Sequence, residues 1–298
     1  MRTNTGQILY IPKIGQRANL QHSLMKGCVG WWPLNDGGGD IAKDLSGNGN
    51  DGTQSGGVTW ASTAIGTVAS FDGVDAYFDI GDNYDYGDGT SDSPFSISGW
   101  MYLDALPAAS ASAALFSKLG ENVGDTSGSA FSLSVNDSGV FSLRLYDDSG
   151  GNQINAVSAS SAVGTGLWYH FASTYDGSGL NTGIEIYING ANSVSSRGSS
   201  GTYVAMEDES SSAKIGCSFL NNSTYKQFVD GNIQNVRIYS RALSATEILE
   251  LYTNPWSGLS IPSSTRYFFV PTQVQQIFPP RMKLKTSISV GKGGRIVI

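Results

Sequence analysis

Between Cys28 and Tyr239 the sequence repeats one simple unit, a short alternating or β-rich run bounded by Gly, Ser, Asn and Asp. Successive side chains on a strand point to opposite faces of a sheet, so such runs predict short strands. The runs are CVGWWPL, AYFDI, FSISGWMYL, AFSLSV, VFSLRLY, LWYHFASTY, GIEIYING and NIQNVRIY. Their spacing predicts an all-β antiparallel sandwich of two sheets.

Two local patterns are more specific. The runs AFSLSV and VFSLRLY flank the turn sequence NDSG, which predicts a hairpin. The segment SATEILELYTN at 244–254 predicts one short helix near the C-terminal end of the body. Ser244 and Glu247 have the spacing of a capping box, Leu243 and Ile248 that of a hydrophobic staple, and Pro255 ends the helix.

Composition narrows the class of protein. The 38 glycines and a charged fraction of 14% suit many turns, and no apolar run approaches the ~18 residues of a membrane span. The N-terminus lacks the apolar core of a signal peptide. Cys28 and Cys217 are too few for a disulfide framework and are expected to be buried free thiols. These features predict synthesis in a cytoplasm without export, and no membrane partner.

Charge divides the chain into an acidic body and two basic ends. Residues 1–27 hold four basic residues, residues 257–298 hold six, and neither segment contains an acid. The remaining 8 basic and 25 acidic residues give the middle a charge of −17. We therefore predict a basic N-terminal arm (1–21), a body (22–254) and a basic, strand-rich assembly arm (255–298). The apolar runs YFFV, SISV and RIVI in the last arm favour protein contacts over nucleic acid. The predicted assembly residues are Arg266, Tyr267, Phe268, Phe269, Arg281, Lys283 and Lys285.

The order of the motifs resembles a known superfamily. KGCVGWWPLNDGGGDIAKDLSGNGNDGT, SFDGVDAYFDIG, FSISGWMYL, LWYHFASTYDGSG, IEIYING and VDGNIQNVRIYSRALSATEI are together similar to the concanavalin A-like lectin/glucanase superfamily, and within it to LamG-like (laminin-G-type) domains. The resemblance implies a jelly roll in which the first and last strands are adjacent. LYTNPW, after the helix, resembles the ends of LamG-like proteins of tailed bacteriophages.

The loop DLSGNGNDGT at 44–53 is open to two interpretations. Asp44, Asn48 and Asn50 offer oxygens to Ca²⁺, and the resemblance implies one structural Ca²⁺ near the terminal strands, with Asp230 as a further ligand. Alternatively, the same side chains form Asx-turns with their own backbone. Ile233-Gln234-Asn235-Val236 carries two amides where the resemblance leads us to expect two carboxylates, which lowers the charge available to a cation.

Catalytic patterns are missing from the sequence. The E-x-D-x-(x)-E strand of the glucanase branch is absent, and His170 in LWYHFASTY fits a half-buried structural histidine better than a triad member. The sequence therefore predicts a protein that is not an enzyme. Aromatic side chains among Gly, Asp, Asn and Ser are the candidate glycan contacts: Trp60, Tyr84, Tyr86 and Tyr225.

Two functions follow as hypotheses. The first is a structural virion protein of a bacteriophage, of the capsid decoration, fibre or tail-attachment type. Its jelly roll is displayed on the particle, and its arms bind other virion proteins or copies of itself. The second is a carbohydrate-binding module that adheres to a host or environmental polysaccharide. The first rests on analogy with phage proteins and on the basic arms, whereas the second rests on the fold that the resemblance implies.

Overall fold

The computed structural model describes residues 15–63, 65–119, 129–147, 152–208, 210–220 and 225–260, and of residues 129, 219, 220, 225 and 226 only the backbone. Short strands separated by tight turns make up most of it, as the alternating runs predict. One α-helix, α1, spans Ala245–Thr253, and two 3-10 turns span Ser23–Met25 and Asn181–Gly183. The strands are β1 Cys28–Trp32, β2 Ile41–Ala42, β3 Gly52–Ser55, β4 Thr59–Thr63, β5 Gly66–Asp72, β6 Tyr77–Asp79, β7 Phe95–Leu103, β8 Ser112–Leu119, β9 Ser129–Asn136, β10 Phe141–Asp147, β11 Asn152–Val157, β12 Trp168–Tyr175, β13 Ile184–Ile188, β14 Ala191–Asn192, β15 Ser196–Ser200, β16 Ala213–Ile215, β17 Phe219–Leu220, β18 Tyr225–Lys226 and β19 Asp230–Tyr239.

Two antiparallel sheets contain all of these strands except the small β17–β18 pair. Sheet A has the order β14-β13-β12-β7-β19-β5-β4, and β1 also pairs with β19 in it. Sheet B has the order β15-β11-β10-β9-β8-β16-β6-β3-β2. The two-sheet antiparallel sandwich and the adjacency of its first and last strands, β1 and β19, are therefore confirmed.

The main core lies between the sheets and follows the period of two. Along β10, Phe141, Leu143 and Leu145 are buried while the residues between them are half-buried. Along β7 the same alternation sends Phe95, Ile97, Met101 and Leu103 into the core. Gly99, on that inner face, is required by packing, because a Cβ there would lie 2.6 Å from the Phe171 ring.

A second apolar cluster covers part of the outer face of sheet A. It joins the 3-10 turn at Ser23–Met25, β1 and helix α1, and its members include Leu24, Trp31, Ile248 and Leu251. The predicted helix is confirmed, including the reciprocal capping box of Ser244 and Glu247. The helix buries its apolar side against the sheet, which is how a nine-residue helix gains stability that it lacks alone.

Other local predictions also hold. The β9–β10 hairpin forms around the NDSG turn, with Gly139 in a left-handed conformation (φ 67°). Cys28 and Cys217 are both buried and free. No helix in the described part of the chain is long and apolar enough to cross a membrane.

The beginning and the end of the described chain meet. Asn19 N donates to Gly258 O at 2.7 Å, Ser260 N donates to Arg17 O at 2.8 Å, and Ala18 forms a β-bridge with Leu259. Residues 17–19, which belong to the predicted N-terminal arm, thus pair with residues that follow α1. The arm limits at 21 and 255 stay predictions.

Two basic side chains are fully buried beneath α1. The Arg237 guanidinium lies 3.9 Å from the centre of the Trp31 ring, and its Nη2 donates to Pro255 O at 2.8 Å. His170 is only 1% exposed, so the expectation of a half-buried histidine is wrong. Its Nε2 lies 3.0 Å from Ser98 Oγ, and its ring contacts Trp100 and Tyr252. Burial, with the charge of Arg237, lowers the pKa of His170 to about 3.

This pKa predicts a specific loss of stability in acid. An unfolded histidine binds a proton near pH 6.5, whereas folded His170 stays neutral down to about pH 3, so the free energy of unfolding falls as the pH drops between these values. Relative to His170→Gln, we expect the wild type to lose about 3 kcal/mol between pH 7 and pH 4. Urea unfolding of both proteins over this range measures the difference, and parallel stability curves would contradict it.

Candidate functional site

The loop 44–53 is organised by the carboxylate of Asp44. Its Oδ1 accepts from Trp31 N at 2.9 Å and from Ser46 N at 2.8 Å, and its Oδ2 accepts from Ser46 Oγ at 2.7 Å and from Asn50 N at 3.0 Å. Both oxygens are therefore occupied by protein donors. The bond to Trp31 N fastens the loop to β1, and the bond to Ser46 N is the Asx-turn of the second interpretation.

The two asparagines of the loop act as donors. Asn48 Nδ2 donates to Val29 O at 3.0 Å, and Asn50 Nδ2 donates to Tyr84 OH at 2.9 Å. Gly47 and Gly49 turn the chain between them with φ values of 95° and 80°. The amides therefore bond β1 and a tyrosine rather than their own backbone, and the loop is a turn that anchors to its neighbours.

Asp230 lies far from this loop. Trp31, to which the loop is bound, pairs with Arg237 on β19. Asp230 lies seven residues before Arg237 on that strand, which at the usual rise of a strand separates the two residues by about 20 Å. Asp230 instead faces Asp72 and Asp104, which together with burial raise the pKa of its carboxyl, burial contributing most. The predicted ligands Asp44, Asn48, Asn50 and Asp230 thus do not form one site. Nowhere in the described residues do three or more His, Cys, Asp or Glu side chains group as metal ligands would.

The amides at 234 and 235 have structural roles that carboxylates cannot fill. Gln234 Nε2 donates to Thr67 O at 3.0 Å, and Asn235 Nδ2 donates to Pro255 O at 2.5 Å. Asn235 Oδ1 accepts from Trp31 Nε1 at 2.7 Å. A carboxylate has no proton to donate at neutral pH, so these amides fit the closing of the fold rather than cation binding.

A small cleft lies beside the Asp44 loop. Its volume is about 270 Å³, and Arg17, Asp36, Lys43 and Trp256 are among its lining residues. Desolvation raises the pKa of Asp36, while Lys43 pairs with Asp51 at 2.6 Å. The volume of the cleft falls just below the ~300 Å³ of usual ligand sites.

The structure contradicts two of the predicted glycan contacts. Tyr84 and Tyr86 are only 8% and 5% exposed. The Tyr86 ring stacks on Phe95 with centroids 4.6 Å apart, and the Tyr84 ring packs edge-on against Trp32. Neither ring has a face free for a sugar, so the prediction that they are exposed is wrong. The loop 81–89 folds inward over the end of the sandwich, where both rings join the core.

Lys118 explains why this loop folds inward. Its side chain on β8 is fully buried, and its Nζ lies 2.7 Å from both Asp82 Oδ1 and Asp85 Oδ1. Because an unpaired buried ammonium is costly, the two carboxylates are held at this end of the sandwich. Tyr84 and Tyr86, on either side of Asp85 in the chain, are buried in the core.

Of the other two predicted glycan contacts, the structure describes the side chain of Trp60 but not that of Tyr225. Trp60 on β4 is half-buried, its Nε1 donates to Gly39 O at 3.1 Å, and its ring packs against Phe78 at the edge of the core. Its role in sugar binding stays a prediction. Tyr225 belongs to β18, but its side chain lies outside the described residues. The assembly residues Arg266, Tyr267, Phe268, Phe269, Arg281, Lys283 and Lys285 also lie outside them.

Two aromatic residues that the sequence analysis does not single out lie on the outer face of sheet A. Tyr102 on β7 and Trp168 on β12 are directly paired, partly exposed, and have ring centroids 5.7 Å apart. The alternation in FSISGWMYL places Tyr102 opposite the core residues Met101 and Leu103. That signal identifies an outer face, but only the strand register shows which residues lie beside it.

Groups with acid–base chemistry are held by structural partners. Glu185 pairs with Arg197 at 2.7 Å, and Glu247 pairs with Arg241 at 2.6 Å, which lowers the pKa of Glu247 to about 2. Ser98 and His170 form a serine–histidine contact, but both are buried, so no substrate reaches them. We identify no arrangement for catalysis in the residues described.

With this geometry in place, comparison with known proteins is informative. A laminin G family model, described as the concanavalin A-like lectin/glucanases superfamily, matches residues 72–249, more than half of the chain. The chain belongs to the concanavalin A-like lectin/glucanases superfamily. The resemblance in the sequence is thereby confirmed at the level of the superfamily. No curated protein matches the chain.

Two solved structures with TM-scores above 0.5 share the fold of this chain. The binding domain of Paraclostridial Mosquitocidal Protein 1 has a TM-score of 0.56 at 18% identity, over 77% of this chain and 52% of that one. A Trypanosoma rangeli sialidase mutant displaying trans-sialidase activity has a TM-score of 0.53 at 16% identity, over 80% and 36%. Domain 4 of AbnA, an extracellular arabinanase from Geobacillus stearothermophilus solved with arabinotriose, has a TM-score of 0.48 at 20% identity, over 76% and 98%. The chain spans about half and about a third of the first two, and the likeness concerns the fold.

The Lys118 arrangement gives a testable prediction. We expect Asp82→Asn/Asp85→Asn to lower the free energy of unfolding by about 3 kcal/mol, because the buried ammonium loses both carboxylates. Adding Lys118→Met to this pair removes the uncompensated charge and should restore much of the loss. Chemical denaturation of the wild type, the double variant and the triple variant measures both steps. A triple variant as unstable as the double one would show that charge is not the cause.

Proposed function

We propose that the body of this protein is a non-catalytic carbohydrate-binding domain. The observation that carries the proposal is membership in a superfamily of lectins and glucanases, with the match covering strands of both sheets. A structural neighbour of the same fold is named as the binding domain of its parent protein. The fold thus supports a binding role, and the partners of this chain's carboxylates support binding over hydrolysis.

The engaged carboxylates favour binding over hydrolysis. Glycoside hydrolysis needs two carboxyl groups held about 5–10 Å apart across the scissile bond, one of them with a raised pKa. Glu185 and Glu247 instead form ion pairs with arginines, and the Glu247 pKa is lowered. Asp230, whose pKa is raised, is paired with Asp72, but Asp72 Oδ1 already accepts from three backbone N–H groups of the following turn. The glucanase E-x-D-x-(x)-E pattern is also absent from the sequence.

The proposal is tested by measuring whether the full chain binds polysaccharides and whether it hydrolyses them. Affinity electrophoresis through gels that contain purified polysaccharides measures retardation, and a reducing-end assay on the same polysaccharides measures cleavage. We expect retardation by at least one polysaccharide and no new reducing ends. Release of reducing ends would overturn the non-catalytic assignment, and migration unaffected by every polysaccharide would overturn the binding function.

A second proposed role is structural: display of the domain on a bacteriophage virion, in a capsid decoration, fibre or tail-attachment protein. The distribution of charge favours this role, because ten basic residues and no acid occupy residues 1–27 and 257–298 while the middle carries −17. Basic segments of one copy would be attracted to the acidic body of the next or to other virion proteins. Glycan binding and display are compatible functions of one protein.

Light scattering tests the assembly role. We expect the full chain to associate at low salt and to dissociate as salt screens the charges. The variant Arg281→Glu/Lys283→Glu/Lys285→Glu should remain monomeric under the same conditions. A matched variant, Lys43→Glu, changes an exposed charge on the body and should associate like the wild type. Equal masses for the wild type and the triple variant would refute assembly through this arm.

A further inference from the structure

Strand pairing in sheet A aligns five side chains across its outer face. Trp168 is paired with Tyr102, Tyr102 with Asn232, Asn232 with Ser70, and Ser70 with Thr59. Directly paired residues of antiparallel strands share a face, so all five project from the side opposite the main core. At about 4.8 Å per strand, this cross-strand row extends over about 19 Å. The row consists of Trp168, Tyr102, Asn232, Ser70 and Thr59.

The row is exposed to solvent in a way that most of this sheet face is not. Thr59 is exposed and the other four residues are partly exposed. Two residues further along the same strands, on the same face of the sheet, Trp100, Gln234 and Val68 are by contrast buried. The row therefore lies along the uncovered part of the face, beside the part that helix α1 and the second apolar cluster cover.

The polar groups of the row have no partners within the described part of the chain. Trp168 Nε1, Tyr102 OH and the hydroxyls of Ser70 and Thr59 form no intramolecular hydrogen bond there. Asn232 Oδ1 is buried without a partner, while the residue is partly exposed through its other atoms. Among the other tryptophans, the Nε1 groups of Trp31, Trp32 and Trp60 donate to protein oxygens, whereas Trp100 Nε1 is buried without a partner. Structural anchoring does not account for the polar groups of the row.

The order of side-chain types along the row indicates a class of ligand. Two aromatic rings inclined at 51° lie at one end, an amide lies in the middle, and two hydroxyls lie at the other end. A sugar chain presents apolar C–H faces and many hydroxyls, and so matches a row in which aromatic rings are followed by small polar groups. We propose that the cross-strand row binds a neutral glycan chain that lies across the strands. This inference rests on the proposed carbohydrate-binding function and names its site.

The negative charges around the row favour a neutral glycan over an anionic one. Asp230 and Asp72 are paired on β19 and β5, two residues from Asn232 and Ser70, and Asp104 lies close enough to raise the pKa of Asp230. These three carboxylates flank the row, which itself carries no charge. Sulfated or uronic acid-rich glycans would be repelled there, whereas uncharged hydroxyls can accept hydrogen bonds from, or donate them to, the row.

Helix α1 borders the other side of the aromatic end. Tyr252 stacks on Trp100 with centroids 5.8 Å apart and planes inclined at 22°, and Trp100 is the outward neighbour of Tyr102 on β7. The Trp168–Tyr102 pair therefore lies on the same face of the sheet as this aromatic stack, two residues from it along β7.

Mutation of the two rings tests the site in the full chain. With a neutral polysaccharide that retards the wild type, we expect Trp168→Ala and Tyr102→Ala each to weaken binding by about tenfold or more, equivalent to about 1.4 kcal/mol. Tyr146→Ala is the matched control, because Tyr146 is a partly exposed residue on the outer face of sheet B, and it should bind normally. Thermal melting verifies that all three variants are folded.

A fluorescence titration keeps the test valid if an alanine variant does not fold. Trp168→Phe retains a ring, and the change in tryptophan emission that the neutral polysaccharide causes in the wild type should be lost in this variant. Polygalacturonate, an anionic polymer, should bind at least tenfold more weakly than the neutral one.

The outcomes distinguish failure of the proposed site from failure of the proposed binding function. Folded alanine variants that bind like the wild type would overturn the site and leave the binding function intact. Absence of binding to any polysaccharide by the wild type would overturn both. Polygalacturonate binding as tight as neutral binding would overturn the neutral ligand class, and a Trp168→Ala variant that loses self-association instead of glycan binding would assign the row to a second copy of the chain.

Discussion

The pairing of the last strand, β19, with the first, β1, is the constraint on which the rest of the fold depends. Closing a chain segment of about 200 residues costs about 5 kcal/mol of entropy, before the constant part of the closure cost is added. The contacts at the seam offset that cost. Trp31 stacks on the buried guanidinium of Arg237, Asn235 connects Trp31 to Pro255, and Asp44 accepts from the backbone of Trp31. The Asp44 loop, the residues after α1 and the two strands are therefore one hydrogen-bonded unit.

This seam also explains the amides that replace expected carboxylates. Gln234 and Asn235 donate hydrogen bonds to Thr67 O and Pro255 O, and a carboxylate in either place could not donate these bonds. At position 235 it would leave Arg237 Nη2 as the remaining side-chain donor to Pro255 O. The sequence contains the substitution but not its reason, because the partners lie 167 and 20 residues away. In this molecule, polar residues near the termini serve the closure of the sandwich.

Local patterns predict much of the architecture and little of the candidate site. Alternation gives the strands, and the Ser244–Glu247 spacing gives the helix, because both depend on neighbours within a few residues. The prediction that the Tyr84 and Tyr86 rings are exposed fails because their loop is bound to Lys118, which lies more than 30 residues further along the chain. Lysine is also a residue type that is rarely buried, so its position gives no local signal. The row from Trp168 to Thr59 joins five strands, so only the register brings its members together. Sequence alone shows which side chains share a face of one strand, but not their neighbours across a sheet.

The meeting of residues 17–19 with 258–260 has a consequence for attachment. Arg17 and Ser260 are joined by a hydrogen bond of 2.8 Å, so the two ends of the described chain lie side by side. Under the proposed assembly role, a surface bound through one of these ends would hold the other end at high effective concentration, so two weak contacts would combine into a strong one without any new interface.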